Sequence, residues 1–111
     1  MEGEETKGPI ATVSDTLLVN HIYARVLLTS GATHSFVSLE FAKKLTSKPS
    51  EMDTRLCLAT LLGSIYHTDI IFKNCAIRVE ERVLSADLAQ LEIQGWDIIL
   101  GMDWLVNIRR P

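Results

Sequence analysis

The sequence predicts a mainly β domain, one lobe per chain, with one or two short helices. Three observations lead there. Short runs rich in Ile, Val, Leu and Tyr recur along the chain and are broken by Gly, Asn, Pro and paired acids. Helical readings are few, at Ser38–Leu45 and Met102–Ile108, with Ala86–Ile93 ambiguous. At 111 residues the chain has the length of one domain, and 47% apolar residues are enough for one core. A chain this short buries a modest share of its surface and leans readily on a second copy.

Residues 1–9 carry Glu2, Glu4 and Glu5 and read as a flexible acidic leader, with the folded domain over 10–111. Ile10–Val13 and Leu17–Asn20 read as two apolar pieces separated by Ser14, Asp15 and Thr16. Asn20-His21 is a turn signal, and His21–Leu28 continues as a strand. The apolar run Val26-Leu27-Leu28 then stops abruptly against Thr29, Ser30, Gly31, Ala32, Thr33, His34 and Ser35, which add little apolar bulk. Gly31 permits a positive φ and a close backbone approach there.

Ser38–Leu45 reads as a helix capped by Ser38, with Glu40 in its first turn and Lys43 and Lys44 in its last. Its buried face would be Phe41, Ala42 and Leu45. Arg55–Leu61 and Ser64–Phe72 read as a hairpin around Leu62-Gly63. Ile77–Val79 and Val83-Leu84 flank a tight turn at Glu80-Glu81, and Ala86–Ile93 suits strand or helix. Trp96–Leu100 is a buried strand broken by Gly101, and Met102–Ile108 starts a second helix with Asp103 near its N-terminus. An apolar strand thus runs into a glycine turn and then a helix twice, as "VLLTSG" and as "DIILG".

The net charge is −3, and the charge outside the leader is nearly balanced, so no basic stripe points to nucleic acid. No apolar run approaches ~20 residues, so no membrane span is expected. No apolar segment of a secretory signal follows the start, so a cytoplasmic (intracellular) setting is expected, with Cys57 and Cys75 as free thiols. His21, His34, His67, Cys57 and Cys75 show no zinc-type spacing, so neither a metal nor another cofactor is expected. Ser30 or Ser35 beside His34 is a candidate hydrolase pair, but sequence neighbours rarely point at one another and no orienting acid is evident.

"LLTSGATHSFVSLEFAKKL" resembles the active-site segment of retropepsin-like aspartic proteases, specifically those in the Pol polyproteins of plant gypsy-type LTR retrotransposons. That family has an apolar pair, then Asp-Ser-Gly-Ala-Thr-His-Ser-Phe, then a short helix. "ADLAQLEIQGWDIILGMDWL" is similar to its second signature, an apolar strand followed by Gly, a variable residue, Asp, Trp and Leu. Order and separation agree over about residues 10 to 108. The resemblance implies a retropepsin-like closed β-barrel (acid protease fold), a homodimer with its cleft between two copies, and an extended peptide or polyprotein as substrate. It makes the Leu58–Ile65 tip a flap, with Thr60, Leu61, Leu62 and Gly63 at substrate together with Ala32. It gives Gly101 and Asp103 structural roles, and makes the Ser30 hydroxyl one that bonds across the dimer axis beside Gly31.

The chain departs from the family at Thr29, where the catalytic aspartate belongs. In the family each copy supplies one carboxylate. Two carboxylates about 3 Å apart share a proton, so one activates water while the other donates to the carbonyl oxygen. A threonine hydroxyl lacks the second oxygen and does not titrate near neutrality, and its methyl would occupy the place of the water. The expected function is therefore that of an aspartic endopeptidase domain that is inactive as written. The alternative is a pseudo-protease kept as a dimerisation or peptide-binding module.

Overall fold

The computed structural model describes residues 10–59 and 65–108. The leader 1–9 and the expected substrate-facing residues Thr60, Leu61, Leu62 and Gly63 lie outside them, as does the side chain of Cys57. Seven strands and two short helices follow in chain order: β1 (Thr12–Val19), β2 (Ile22–Thr29), β3 (Ser35–Ser38), α1 (Leu39–Ala42), β4 (Ser50–Ala59), β5 (Ile65–Val79), β6 (Arg82–Leu91), β7 (Ile98–Leu100) and α2 (Met102–Ile108). They form one sheet in the order β1-β2-β7-β3-β6-β5-β4. The sheet curls until β1 also meets β5, through Leu18↔Arg78 and Val19↔Ile77. The fold is the mainly β lobe with two short helices that the sequence predicts. The expected closed barrel is here a curled sheet joined across by two residue pairs rather than by a full ladder.

The core fills the inside of this curl. Val19, Val26, Val37, Ile77, Leu88, Ile98 and Leu100 are wholly buried, and Phe41 and Trp104 cover them from α1 and α2. Burying each large apolar side chain of this kind is worth roughly 1.5–3 kcal/mol. The alternating burial of Ala24 and Val26 in β2 is the period-two pattern of a strand with one face inward.

Several boundaries differ from the sequence reading, each for a physical reason. Ser14, Asp15 and Thr16 do not interrupt β1, because they are exposed and their backbones pair with Leu27, Val26 and Arg25. Of the predicted strand Ser64–Phe72, Ser64 lies outside the described residues; the rest and Ile77–Val79 are parts of one strand, β5. A bulge between Phe72 and Cys75 absorbs the polar Lys73-Asn74, with Asn74 at φ 58 and its N–H given to the Asp87 carboxylate. Ala86–Ile93 belongs mostly to strand β6, which is laddered on both sides. The first helix is only Leu39–Ala42; Ser38 lies outside as its cap, accepting the Phe41 N–H at 3.0 Å. The strand predicted from Trp96 starts at Ile98.

The repeated strand–glycine pattern acquires a spatial meaning. Its two apolar strands, β2 and β7, lie side by side in parallel, with Val26↔Ile98, Leu27↔Ile99 and Leu28↔Leu100. Only the second runs directly into its helix, since β3 follows the first glycine turn.

Two further details bear on stability. Burial pushes the Cys75 thiol up to about 11, with the Asp87 carboxylate adding to the shift, so the thiol is protonated and unreactive at neutral pH. At the β5–β6 turn Glu80 sits at φ 56, a left-handed conformation that costs an ordinary residue roughly 1–2 kcal/mol. Glu80→Asn is expected to raise unfolding stability by about 0.5–1 kcal/mol, read from the urea midpoint at unchanged slope.

Candidate functional site

β2 ends at Thr29. The strand is held between β1, with Thr12 opposite Thr29, and β7. Thr29 is 8% exposed. The chain then turns on Thr29 itself, whose Oγ1 accepts the Gly31 N–H at 3.0 Å. Ser30 faces solvent but is bracketed by Ala11: its N–H donates to the Ala11 carbonyl and its Oγ accepts the Ala11 N–H, both at 3.0 Å.

Of the two reasons expected for glycine at position 31, the close approach holds and the positive φ does not. The glycine with positive φ among the described residues is Gly95, not Gly31. A Cβ on Gly31 would instead stand 3.0 Å from Ile10 Cγ2 and 3.3 Å from Thr29 Oγ1, so the requirement is for space.

Residues 32–34 pass directly over the β7–α2 junction. The first N–H groups of a helix have no partner inside it. Here the Met102 N–H donates to the Ala32 carbonyl at 2.8 Å and the Asp103 N–H to the Thr33 carbonyl at 3.2 Å. The loop after β2 is thus the cap of α2. Gly101 makes the crossing possible, since a Cβ there would collide with the His34 carbonyl and stand 2.6 Å from that of Ala32. Ser35 closes the clamp, with its Oγ accepting the buried Gly101 N–H at 3.0 Å and donating to Asp103 Oδ1 at 2.7 Å. Ser35→Ala would leave a buried N–H unpartnered and deprive the carboxylate of its donor. The expected loss is about 1–3 kcal/mol in chemical denaturation.

These contacts place every described candidate. Thr29, Ser30, Gly31 and Ala32 form one loop, and Gly101 and Asp103 lie directly beneath it. The Ala32 side chain packs with Phe36, Ala89 and Leu91, against which Leu56, Tyr66, Ile93 and Ile99 lie half-buried. This second apolar cluster joins the loop to β4 and β5, whose far ends lead into the hairpin expected to be a flap. The Ser–His pair does not form: Ser35 is engaged with Asp103 and Gly101, Ser30 with Ala11, and His34 Nδ1 with Thr33 Oγ1 at 2.9 Å.

Two further features flank the loop, Asp97, which the sequence places at a strand edge, and Ala11, which it does not single out. Asp97 acts as a brace: its N–H donates to the Arg25 carbonyl at 2.9 Å, its Oδ2 accepts the Arg25 N–H at 2.8 Å, and its carbonyl accepts the Ser38 N–H. The Arg25 guanidinium lies over the Trp96 ring, 5.1 Å from its centroid. Ala11 was invisible because its part is played by backbone groups that any residue carries. A cavity of about 410 Å³ bordered by Arg25, Leu39, Trp96 and Asp97 includes no residue of the loop 29–35.

The comparisons with known proteins agree with this geometry. No curated protein matches the chain. Among solved structures it is similar to EIAV protease complexed with the inhibitor HBY-793, at TM-score 0.71 and 18% identity over 100% of this chain and 96% of that one. It is also similar to the protease of Simian Foamy Virus (mac), at TM-score 0.56 and 15% identity over 89% of this chain and 99% of that one. The family model described as retroviral aspartyl protease matches residues 1–111. With the fold and this match in agreement, the chain belongs to the retroviral aspartyl protease family.

Proposed function

We propose that this chain is a retropepsin-like protease domain derived from the Pol polyprotein of a plant gypsy-type retrotransposon, in which the catalytic aspartate has been replaced by Thr29. Two copies form the cleft, and an extended polyprotein peptide binds in it by strand addition. Hydrolysis is absent or nearly so.

The single observation that carries the reading is the state of Thr29. It ends β2, at the position to which the resemblance gives the catalytic residue, and its one oxygen already accepts the Gly31 N–H. An aspartate can meet that N–H with one oxygen and keep the other for water and a shared proton; a hydroxyl has no second oxygen to give. Symmetry repeats the defect in both copies. The nearby described acids have other partners, Asp103 on Ser35 and Asp97 on Arg25. Yet the clamp under the loop does not depend on residue 29, so the scaffold outlasts its chemistry. That independence also favours the second reading, a pseudo-protease retained to dimerise or to hold peptide inside the cell.

The unaltered chain tests both parts. Light scattering across concentration should give twice the chain mass, and a peptide mixture should stay intact under acidic to neutral conditions. Cleavage that a pepstatin-like inhibitor blocks would refute the loss of activity. A strict monomer would remove the cleft.

A further inference from the structure

Another cavity lies beside α2. It measures about 220 Å³ and is bordered by Asn74 of the β5 bulge, by Ser85 and Asp87 of β6, and by Asp103, Trp104 and Asn107 of α2. No residue of the loop 29–35 borders it. Trp104 is 2% exposed, and its indole Nε1–H is buried without a hydrogen-bond partner among the described residues. A buried tryptophan usually finds an acceptor for that group. The rest of its ring packs in the apolar core, so the cavity is the side from which an acceptor reaches the N–H. The exposed rim has the opposite character. Asp87 Oδ1 accepts the Asn74 N–H at 2.9 Å and Asp103 Oδ1 the Ser35 hydroxyl at 2.7 Å, which leaves Oδ2 of each carboxylate to accept.

We propose that this cavity binds a primary carboxamide, its carbonyl oxygen on the Trp104 N–H and its NH2 group on the Asp87 and Asp103 carboxylates. The match is one of donors and acceptors. An ammonium or guanidinium group is drawn by two carboxylates, yet it has no acceptor and would seal the indole N–H away unpaired. A carboxylate has acceptors but is repelled by both acids. An amide carries one acceptor and two donors in one plane, and no charge. A glutamine or asparagine side chain of a partner chain and a free small amide share this chemistry. The proposal rests neither on the homodimer nor on the state of Thr29.

The test is a titration of the isotope-labelled full chain followed in a nitrogen–proton correlation NMR spectrum. Trp96 and Trp104 are the chain's two tryptophans, so Trp96→Phe identifies the indole signal of Trp104. Propionamide should move that signal saturably, with a dissociation constant on the order of millimolar. Asp87→Asn keeps an acceptor for the Asn74 N–H but sets a second amide against the ligand's own, and should weaken binding about tenfold. If that change disturbs the bulge, Asn107→Leu replaces it; position 107 is exposed, and the leucine should weaken binding as much by narrowing the cavity. Propionate and ethylammonium should leave the signal in place. A glutamine peptide with methylamide-capped ends that binds more tightly than propionamide assigns the ligand to a partner chain, and equal affinity assigns it to a free amide. A Trp104 signal that does not respond to propionamide, that responds equally in the variants, or that moves most with ethylammonium would overturn the proposal.

Discussion

Thr29→Asp is expected to act as a peptidase with an acidic optimum, where the unaltered chain is expected to cleave nothing. The backbone for it is already in place. Gly31 offers its N–H to position 29, the loop is clamped to α2 through Ala32, Thr33 and Ser35, and Ala11 holds its outer side. Replacing the hydroxyl by a carboxylate restores both missing roles at once, because each copy of a dimer gains the same group. General acid–base help of this kind is worth roughly 10²- to 10⁴-fold in rate. The pH dependence has a fixed sign. Activity requires one proton shared by two carboxyls, so it falls at high pH when both ionise and at low pH when both are protonated. Thr29→Asn is the control: it has nearly the shape of aspartate, does not titrate, and should remain inactive. Hydrolysis of a fluorogenic peptide series, followed across pH with and without a pepstatin-like inhibitor, reads the result. A folded, dimeric Thr29→Asp chain that cleaves nothing would show that decay reaches beyond residue 29.

That experiment turns on one residue that sequence alone singled out, and it is instructive which other features were as plain. The buried strand His21–Leu28 and the helix from Met102 were readable because apolar side chains alternate or cluster there, and burial follows side chains. Ser38 was readable as a cap because its side chain does the work. What escaped was carried by backbone. β1 runs straight through Ser14-Asp15-Thr16 because a ladder needs only N–H and C=O groups, and β5 runs through Lys73-Asn74 because a bulge takes up the extra residues. The Ala11 bracket around Ser30 has no side-chain signature at all. Of the two reasons the sequence offers for Gly31, the positive φ is not used and the close approach is. Gly101 read as a strand breaker with a structural role by resemblance, but not as the point over which the site loop must pass.

Gly101 therefore carries the second large expected effect. Gly101→Ala should cost about 3–5 kcal/mol, a large part of the 5–15 kcal/mol typical of a whole domain. No conformational penalty enters, because Gly101 is not among the positive-φ residues; the cost is steric. The added Cβ meets the backbone carbonyls of Ala32 and His34, not the end of a flexible side chain. To make room, residues 32–34 must lift from α2. That movement breaks the Met102 N–H to Ala32 bond, the Asp103 N–H to Thr33 bond and the Ser35 bridge together. Each bond is worth about 1 kcal/mol net, and the buried Gly101 N–H would be left without an acceptor. Gly31→Ala supplies the contrast. Its Cβ meets mainly Ile10, an exposed side chain able to rotate away, so the cost should stay below about 1 kcal/mol. Urea unfolding of the two variants beside the parent measures the difference. If Gly101→Ala is no more destabilising than Gly31→Ala, the crossing of the loop over the β7–α2 junction is not what holds position 29 in place.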